Sequence, residues 1–222
     1  MKKFIDKRNL TKGTAFCYLL CILTMVLFLC IMGCSSSTSK EVTESKEVPI
    51  NYPESYMITA KNYFDYQSGL ECAAFSSAYV LRFYGEEASG VELFKNFPGK
   101  VSDGGVSPYG IVEFFNKRGY EATFKCDGTI EELKEQLSKG VPVIAFIRVD
   151  KQHVYTHYVP IVGYDNEYFY FAESLPYIAN CKNEKGVSYN RKTPIATFKA
   201  LWNHIDGRWD NPYFVIVKKS EK

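Results

Sequence analysis

The chain has 222 residues, of which 46% are hydrophobic and 16% aromatic. This length suits one folded domain with appendages, and the apolar content is sufficient for a sizeable core. The formal net charge is only +2, and five of the 27 basic residues lie within the first twelve positions. The remainder of the chain is slightly acidic, which argues against a protein that binds nucleic acids.

The first 33 residues are typical of a targeting segment. A basic stretch precedes the uncharged run 15–33, and the segment ends at Ile31-Met32-Gly33-Cys34 before several serines. This junction resembles the lipobox of bacterial lipoproteins, which implies a signal peptide over 1–33 and Cys34 as a lipid anchor on the extracytoplasmic face of the cell membrane. Because the uncharged run is near the length that spans a bilayer, an uncleaved transmembrane anchor is the alternative. Both alternatives place the rest of the chain outside the cytoplasm.

Two segments are expected after the signal peptide. Residues 34–50 are polar and lack aromatic side chains, which predicts a flexible tether. The folded domain is expected over 51–222. Removing 1–33 takes away five basic residues and one acidic residue, so the exported part carries 22 basic and 24 acidic residues and a net charge of −2.

Three cysteines lie in the expected domain, namely Cys72, Cys126 and Cys181. An odd number of thiols cannot all pair with one another. The sequence therefore leaves two arrangements open. One is a Cys126–Cys181 disulfide with Cys72 free, which an oxidising compartment permits, and the other has only unpaired thiols.

A buried helix is predicted from Cys72 to Tyr84. Arg82 is the only charged residue in this stretch, which is otherwise largely apolar, and Gly85 follows as a helix end. A thiol in the first turn of such a helix feels the positive end of its dipole, which favours thiolate. Gln67 lies five residues earlier and can bring an amide to the same point, a pairing that suits a nucleophile and an oxyanion donor. A buried structural cysteine is the alternative interpretation.

Helix caps and apolar runs predict the remaining elements. Three further helices are expected to begin at Ser89 with Glu92, at Ser107-Pro108 and at Thr129 with Glu132, the first and last as capping boxes. Strands are expected at 120–125, 142–149, 157–164, 168–173 and 212–218, and a last helix opens at Thr193-Pro194. Helices dominate the first half and strands the second. The predicted class is α+β, with the Cys72 helix packed on a mostly antiparallel sheet.

The turn at 165–167 determines how two of these strands align. A three-residue turn pairs Tyr164 with Tyr168 and places Val159 opposite Glu173. A two-residue turn shifts the alignment by one position and moves each side chain of one strand to the other face.

His157 begins the first of these strands and Glu173 ends the second. With the three-residue turn they are diagonal neighbours on one face, within reach of each other. A carboxylate on one imidazole nitrogen fixes the tautomer, so the other nitrogen can take a proton from a thiol. Asp165 is a rival for this carboxylate, although a turn residue more simply caps the hairpin.

Four features together resemble the papain-fold cysteine peptidases. Gln67 precedes Cys72 at a helix start, residues 157–165 read H-Y-V-P-I-V-G-Y-D, and Glu173 follows the histidine by sixteen positions. More narrowly, the pattern is similar to the bacteriocin-processing (double-glycine leader) peptidases, family thirty-nine, in their stand-alone secreted branch. The resemblance covers roughly residues 63–175.

The resemblance implies a papain-like fold and a role for each of these residues. Cys72 would be the nucleophile, His157 the general base and acid, and Gln67 an oxyanion donor beside the Cys72 backbone N–H. The third position departs from the family, since Glu173-Ser174 stands where Asp-Pro is expected, and the longer side chain requires a shift of backbone or rotamer. No cofactor is expected, because the histidines are scattered and no Cys-x-x-Cys occurs.

These features predict a lipid-anchored extracellular cysteine peptidase that hydrolyses peptide bonds through a Cys72–His157–Glu173 triad. Its partners would be a peptide or protein substrate and the membrane, and not nucleic acid. Residues 99–109 and 175–192 are expected to line the substrate pocket. Two alternatives stay open: a papain-fold module that binds peptides with weakened catalysis, and an amide or peptidoglycan-peptide hydrolase or transferase of the same superfamily.

Overall fold

The computed structural model describes residues 52–152, 155–182, 184–185 and 187–219. These residues belong to one compact unit, Pro49–Lys222. The predicted signal peptide 1–33, the lipid anchor Cys34 and the tether 34–50 lie outside the described residues. Within the described part of the chain, no helix is both long and apolar enough to cross a membrane.

The described residues form five helices and seven strands. The helices are α1 (Cys72–Phe83), α2 (Gly90–Lys95), α3 (Pro108–Asn116), α4 (Ile130–Ser138) and α5 (Ile195–Trp202). The strands are β1 (Tyr56–Met57), β2 (Tyr120–Lys125), β3 (Val143–Arg148), β4 (Thr156–Tyr164), β5 (Tyr168–Phe171), β6 (Arg191–Pro194) and β7 (Tyr213–Lys218). The two short strands β1 and β6 were not predicted from the sequence.

All these strands join one sheet, and every pairing between them is antiparallel. The order is β2-β7-β3-β4-β5-β6, and β1 pairs with the end of β4. This arrangement confirms the predicted α+β class.

Helices cover both faces of the sheet, which explains the continuous apolar run of β3. Ile144 and Phe146 pack in one core with α1 and α3. Ala145 and Ile147 pack in a second core with α4 and α5. A strand that is buried on both faces has no solvent side, so its sequence does not alternate.

The β4–β5 turn differs from the prediction, yet the alignment beyond it agrees. Tyr164 pairs with Phe169 and not with Tyr168, so one more residue lies in the loop than expected. The register then shifts back between Gly163 and Ile161, and Ile161 pairs with Phe171. A bulge of this kind inserts one extra residue into one strand. The Ala172 N–H donates to the carbonyl of Pro160 at 3.0 Å, which continues this register toward Glu173.

All three predicted N-cap residues precede a helix, but only one of them makes the predicted side-chain hydrogen bonds. Thr129 and Glu132 form the reciprocal hydrogen bonds of a capping box before α4. Ser89 caps α2 only by position, because its side chain makes no capping hydrogen bond. The predicted capping box with Glu92 is wrong, since that carboxylate pairs with Lys95 at 2.7 Å instead. Ser107 likewise precedes α3 without a side-chain bond.

The end of α1 follows the prediction for Gly85. This glycine has a φ of 85°, the left-handed conformation that an L side chain rarely adopts. The next N–H, of Glu86, donates to the carbonyl of Leu81 at 3.0 Å. This bond closes the last turn in the manner of a Schellman motif.

Candidate active site

Cys72 is the first residue of α1, as predicted, and it is half-buried. The carbonyl of Glu71 accepts the N–H groups of Ala74 and Phe75, which completes the first turn. The Glu71 carboxylate turns back and accepts the N–H of Gly69 at 2.7 Å. The thiol therefore stands at the positive end of a buried helix of 12 residues.

A buried hydrogen bond ties α1 to β4 close to this thiol. The hydroxyl of Ser76, one turn after Cys72, donates to the carbonyl of Tyr158 at 2.8 Å. Tyr158 is the residue next to His157, so this bond aligns the helix that carries the cysteine with the strand that carries the histidine. Cys72 also acts electrostatically on His157, because it is one of the groups that raise the pKa of the imidazole.

The predicted contact between His157 and Glu173 is present. Nε2 of His157 lies 2.8 Å from Oε1 of Glu173, and the two side chains are 1% and 0% exposed. Because Nε2 is engaged by the carboxylate, Nδ1 is the nitrogen left for Cys72. The extra methylene of glutamate does not prevent the contact.

The charges of this pair stabilise each other in the absence of solvent. Burial alone would lower the pKa of His157, but the Glu173 carboxylate, Cys72 and the hydrogen bond to Glu173 raise it from 6.5 to about 9. Burial alone would raise the pKa of Glu173, but the imidazolium, followed by Arg191, lowers it from 4.5 to about 2. The imidazole is therefore positively charged and the carboxylate negatively charged near neutral pH.

Glu173 has polar partners on both carboxylate oxygens. Oε1 also accepts the N–H of Leu175 at 2.7 Å. Oε2 accepts from the guanidinium of Arg191 at 2.8 Å. The side chain of Asn190 accepts the backbone N–H of Glu173 at 2.6 Å and donates to its carbonyl at 2.8 Å. The backbone and the carboxylate of this residue are thus both held.

Gln67 is buried beside the same segment. Its Oε1 accepts from the hydroxyl of Ser174 at 2.6 Å, and its backbone N–H donates to the Ser174 carbonyl at 2.9 Å. Its Nε2 donates to the carbonyl of Gly69 at 2.6 Å. The chain thus brings Gln67 next to the residue that follows Glu173, at the loop that leads to Cys72.

The other candidates from the sequence occupy different environments. Asp165 caps the β4–β5 turn, because its carboxylate accepts the N–H groups of Glu167 and Tyr168, both at 2.7 Å. Cys126 is exposed and Cys181 is buried, and both are free thiols, so the disulfide between them is not formed. Across the described residues, no group of three or more His, Cys, Asp or Glu side chains could hold a metal ion.

Residues of both segments expected to line the pocket lie near the candidate site. In the first, the carbonyl of Val106 accepts the hydroxyl of Tyr158 at 2.9 Å. A side chain added at Gly104 would come within 3.4 Å of Leu70, two residues before Cys72. The second segment begins at Leu175, which donates to Glu173, and returns to it at 190–191.

The sequence did not predict the contacts of three polar residues at the site, namely Ser174, Asn190 and Arg191. Arg191 and its neighbour Lys192 look alike in sequence, but Arg191 is buried and Lys192 is exposed. The alternation of buried and exposed residues in β6 separates them. A prediction of the four-residue strand β6 from the sequence would have indicated that Arg191 is buried.

Comparison with known proteins identifies a family whose model matches most of the described domain. The model of the Peptidase_C39 like family matches residues 58–208. No curated protein matches the chain by sequence.

Several solved structures are similar. A putative C39-like peptidase from Bacillus anthracis has a TM-score of 0.56 at 18% identity, covering 74% of this chain and 98% of its own. The peptidase domain of Streptococcus ComA, a bi-functional ABC transporter involved in quorum sensing, has a TM-score of 0.53 at 18% identity, covering 70% and 98%. A double glycine motif protease from an AMS/PCAT transporter, in complex with the leader peptide, has a TM-score of 0.50 at 19% identity, covering 72% and 94%. At these identities the likeness concerns the fold.

Proposed function

Because the chain belongs to the Peptidase_C39 like family, we propose that it is a cysteine peptidase that hydrolyses peptide bonds through Cys72, His157 and Glu173. The observation that carries this proposal is the buried His157–Glu173 pair, 2.8 Å apart, whose imidazole interacts electrostatically with Cys72 at the start of a helix. A nucleophile, a base and a group that orients the base are the three parts that acyl transfer by a thiol requires.

In the proposed reacting state the proton of the Cys72 thiol already resides on Nδ1 of His157, so the imidazole is the charged form described above. The thiolate attacks the carbonyl carbon of the peptide bond, and the carbonyl oxygen becomes an oxyanion. The imidazolium then gives its proton to the leaving nitrogen, and a thioester to Cys72 remains. A water molecule that loses a proton to His157 attacks the thioester, which releases the carboxylic acid and restores the thiolate.

Glu173 and Gln67 support two different stages of this sequence. The Glu173 carboxylate keeps Nε2 protonated and the imidazole oriented, so Nδ1 is the nitrogen that exchanges protons with Cys72. The Gln67 amide carries two hydrogens on Nε2, and one goes to Gly69. We assign the second hydrogen, with the Cys72 backbone N–H, to the oxyanion.

The proposed substrate is a peptide in extended conformation. Val106 contacts Tyr158, and Leu175, Asn190 and Arg191 contact Glu173. We assign the walls of the binding cleft to the segments 99–109 and 175–192 that contain these residues. One structural relative is a double glycine motif protease in complex with a leader peptide. For the present chain we propose only that the substrate is a peptide.

We further propose that 1–33 is a lipoprotein signal peptide, that Cys34 carries the lipid, and that 34–50 tethers the domain 51–222 outside the cytoplasm. The Gly33-Cys34 junction before a serine run supports this. In a bacterial host fed a labelled fatty acid, the full chain should incorporate label, and Cys34→Ala should not. Equal labelling of both would contradict the proposal.

The rate of Cys72 alkylation by iodoacetamide as a function of pH tests the peptidase proposal. The full chain is used in mild detergent, and mass spectrometry assigns the modified site. Cys126 is an exposed free thiol in the same molecule and serves as an internal control for the reagent. Because burial, Asp127 and Asp210 raise the pKa of Cys126, the deciding comparison is between the native chain and His157→Ala. We expect Cys72 to react faster than Cys126 below pH 7, and to lose this advantage in His157→Ala.

A Cys72 alkylation profile that is the same whatever residue stands at 157 would contradict the proposal. That outcome favours the alternative of a peptide-binding module with weakened catalysis. If Cys72 is reactive, cleavage of linear peptides against peptidoglycan fragments separates a peptidase from the related amide hydrolases and transferases.

A further inference from the structure

Arg191 lies 18 positions after Glu173 in the chain and returns to contact it. After Glu173 the chain passes through 175–189 and comes back at Asn190, whose side chain bonds both backbone groups of Glu173. The next residue, Arg191, donates to Oε2 of Glu173 at 2.8 Å. The two ends of this excursion therefore meet at the residue that orients the proposed base.

The guanidinium of Arg191 is itself held in one place. Its side chain is 7% exposed. Its Nε donates to Oγ1 of Thr193 at 3.2 Å, and its Cζ lies 5.3 Å from the centre of the Phe171 ring. A planar cation fixed by a hydrogen bond and an aromatic face can hold a carboxylate in a defined direction.

Glutamate needs this restraint more than aspartate would. Its additional torsion allows the carboxylate to reach His157 in several ways, or to turn away from it. In this structure Oε1 is taken by His157 and Leu175, and Oε2 by Arg191. Because both carboxylate oxygens have partners, any rotation of the Glu173 carboxylate that breaks the hydrogen bonds of one oxygen also breaks those of the other.

We propose that Arg191 is a positioning residue of the catalytic site, which holds the Glu173 carboxylate ionised and turned toward His157. The proposal rests on the proposed function, since it concerns the same site. It explains how glutamate can occupy a position where the related peptidases are expected to have aspartate.

The charged and titratable groups around Glu173 set the direction of the expected effect. His157 faces it from β4, Arg191 from β6, and Tyr177 from the segment after it, while Cys72 acts through His157. Burial favours the neutral carboxyl, and His157 and Arg191 oppose burial. Without Arg191 the pKa of Glu173 should rise by about one unit or more.

The test compares Arg191→Met, Arg191→Lys and Arg82→Met in the full chain. Arg82 is the matched control, because it is also a buried arginine, but it binds Asn62 and the carbonyls of Tyr63 and Ala88. Two quantities are measured for each variant: the pH profile of Cys72 alkylation by iodoacetamide, and the titration of the Glu173 carboxyl by carbon NMR. Thermal melting verifies that each variant is folded.

In Arg191→Met we expect the acid limb of the alkylation profile to move to higher pH, with about a tenfold lower rate well below its midpoint. Arg191→Lys keeps the positive charge, so its acid limb should lie close to that of the native chain. This variant replaces Arg191→Met in the comparison if the methionine variant does not fold. Arg82→Met should retain the native profile even where it lowers the melting temperature. In a Glu173→Gln background, replacing Arg191 should change the rate less than twofold, because the group it positions is gone.

Three results would overturn the proposal: a native Glu173 titration in Arg191→Met, an equal shift in Arg82→Met, or an undiminished effect in the Glu173→Gln background. Failure of the proposed function is seen separately, as a native Cys72 without enhanced reactivity. In that case the carboxyl titration still decides whether Arg191 keeps Glu173 ionised, and the role in positioning a catalytic group is rejected.

Discussion

Gln67, on the Cys72 side of the site, is held by neutral hydrogen bonds, whereas His157 on the other side is held by a buried series of charges. On the first side, the Gln67 amide bonds Ser174 and Gly69, and Cys72 is half-buried. On the second side, His157, Glu173 and Arg191 form two consecutive ion pairs of 2.8 Å almost without exposure.

This difference follows from what each side does in the proposed reaction. The nucleophile must be reached by a peptide, so it cannot be enclosed. The base must change its charge during catalysis while its orientation stays fixed, and ionised partners in a dry environment stabilise the protonated form strongly. Substitutions on the two sides should therefore differ in kind: those on the charged side should depend on pH, and those on the neutral side should not.

The largest effect is expected from Glu173→Gln. The amide keeps the size of the side chain but removes the charge that stabilises the imidazolium, and it can favour the wrong tautomer. We expect kcat/KM for a peptide substrate to fall by about 10³-fold near pH 7, and the enhanced alkylation of Cys72 to fall with it. Glu167→Gln, at an exposed residue in the β4–β5 turn, is the control. Native alkylation in Glu173→Gln would show that the charged side is not needed.

A smaller effect, of a different kind, is expected from Gln67→Ala. Loss of one oxyanion donor should lower kcat by about 10²-fold. Alkylation by iodoacetamide develops no oxyanion, so the reactivity of Cys72 should remain close to native. If alkylation and peptide cleavage fall together, Gln67 supports the loop before α1 and is not an oxyanion donor.

Ser174→Ala should have a still smaller effect, a few-fold loss in kcat. The hydroxyl donates to Oε1 of Gln67, and its removal leaves the amide able to rotate. The loss should be independent of pH and absent in a Gln67→Ala background. A shift of the pH profile would instead connect Ser174 to the charged side of the site.

The smallest expected effect is on the pH dependence of stability. The raised pKa of His157 contributes stability that is complete below its ordinary 6.5 and is lost as the pH rises toward about 9. The lowered pKa of Glu173 contributes stability that is complete above 4.5 and is lost as the pH falls toward about 2. Melting temperature should therefore be highest between these ordinary values, and His157→Gln should flatten the alkaline side. An unchanged alkaline side in that variant would contradict the assignment.

Local patterns were enough to predict most elements of the domain. The strand 120–125 has the predicted bounds, and the helix that begins at Cys72 and the capping box at Thr129 are also confirmed. These features depend on residues within a few positions of one another, such as an apolar period or a cap. Short elements without such a period, β1 and β6, were missed for the same reason.

The contact between His157 and Glu173 was predicted with an incorrect turn. The loop contains one residue more than expected, and the bulge between Ile161 and Gly163 reverses the resulting shift. Because the two one-residue shifts in register are opposite, they cancel, and His157 and Glu173 remain on the same face of the sheet. Gly163 is a local signal for the bulge, since a glycine inside a strand often marks one, but the length of the loop and the direction of the shift depend on how β4 packs with its neighbours.

The amino-acid sequence thus determined the helix that presents Cys72, the strand that presents His157 and the separation of Glu173 from it. The packing of the chain decided which polar residues surround them. Ser174 meets Gln67 across 107 positions, and Arg191 meets Glu173 across 18. A periodic pattern indicates which side of a strand or helix is buried. The partner of a buried charge depends on which distant segments pack against it, and this packing exists only in the folded chain.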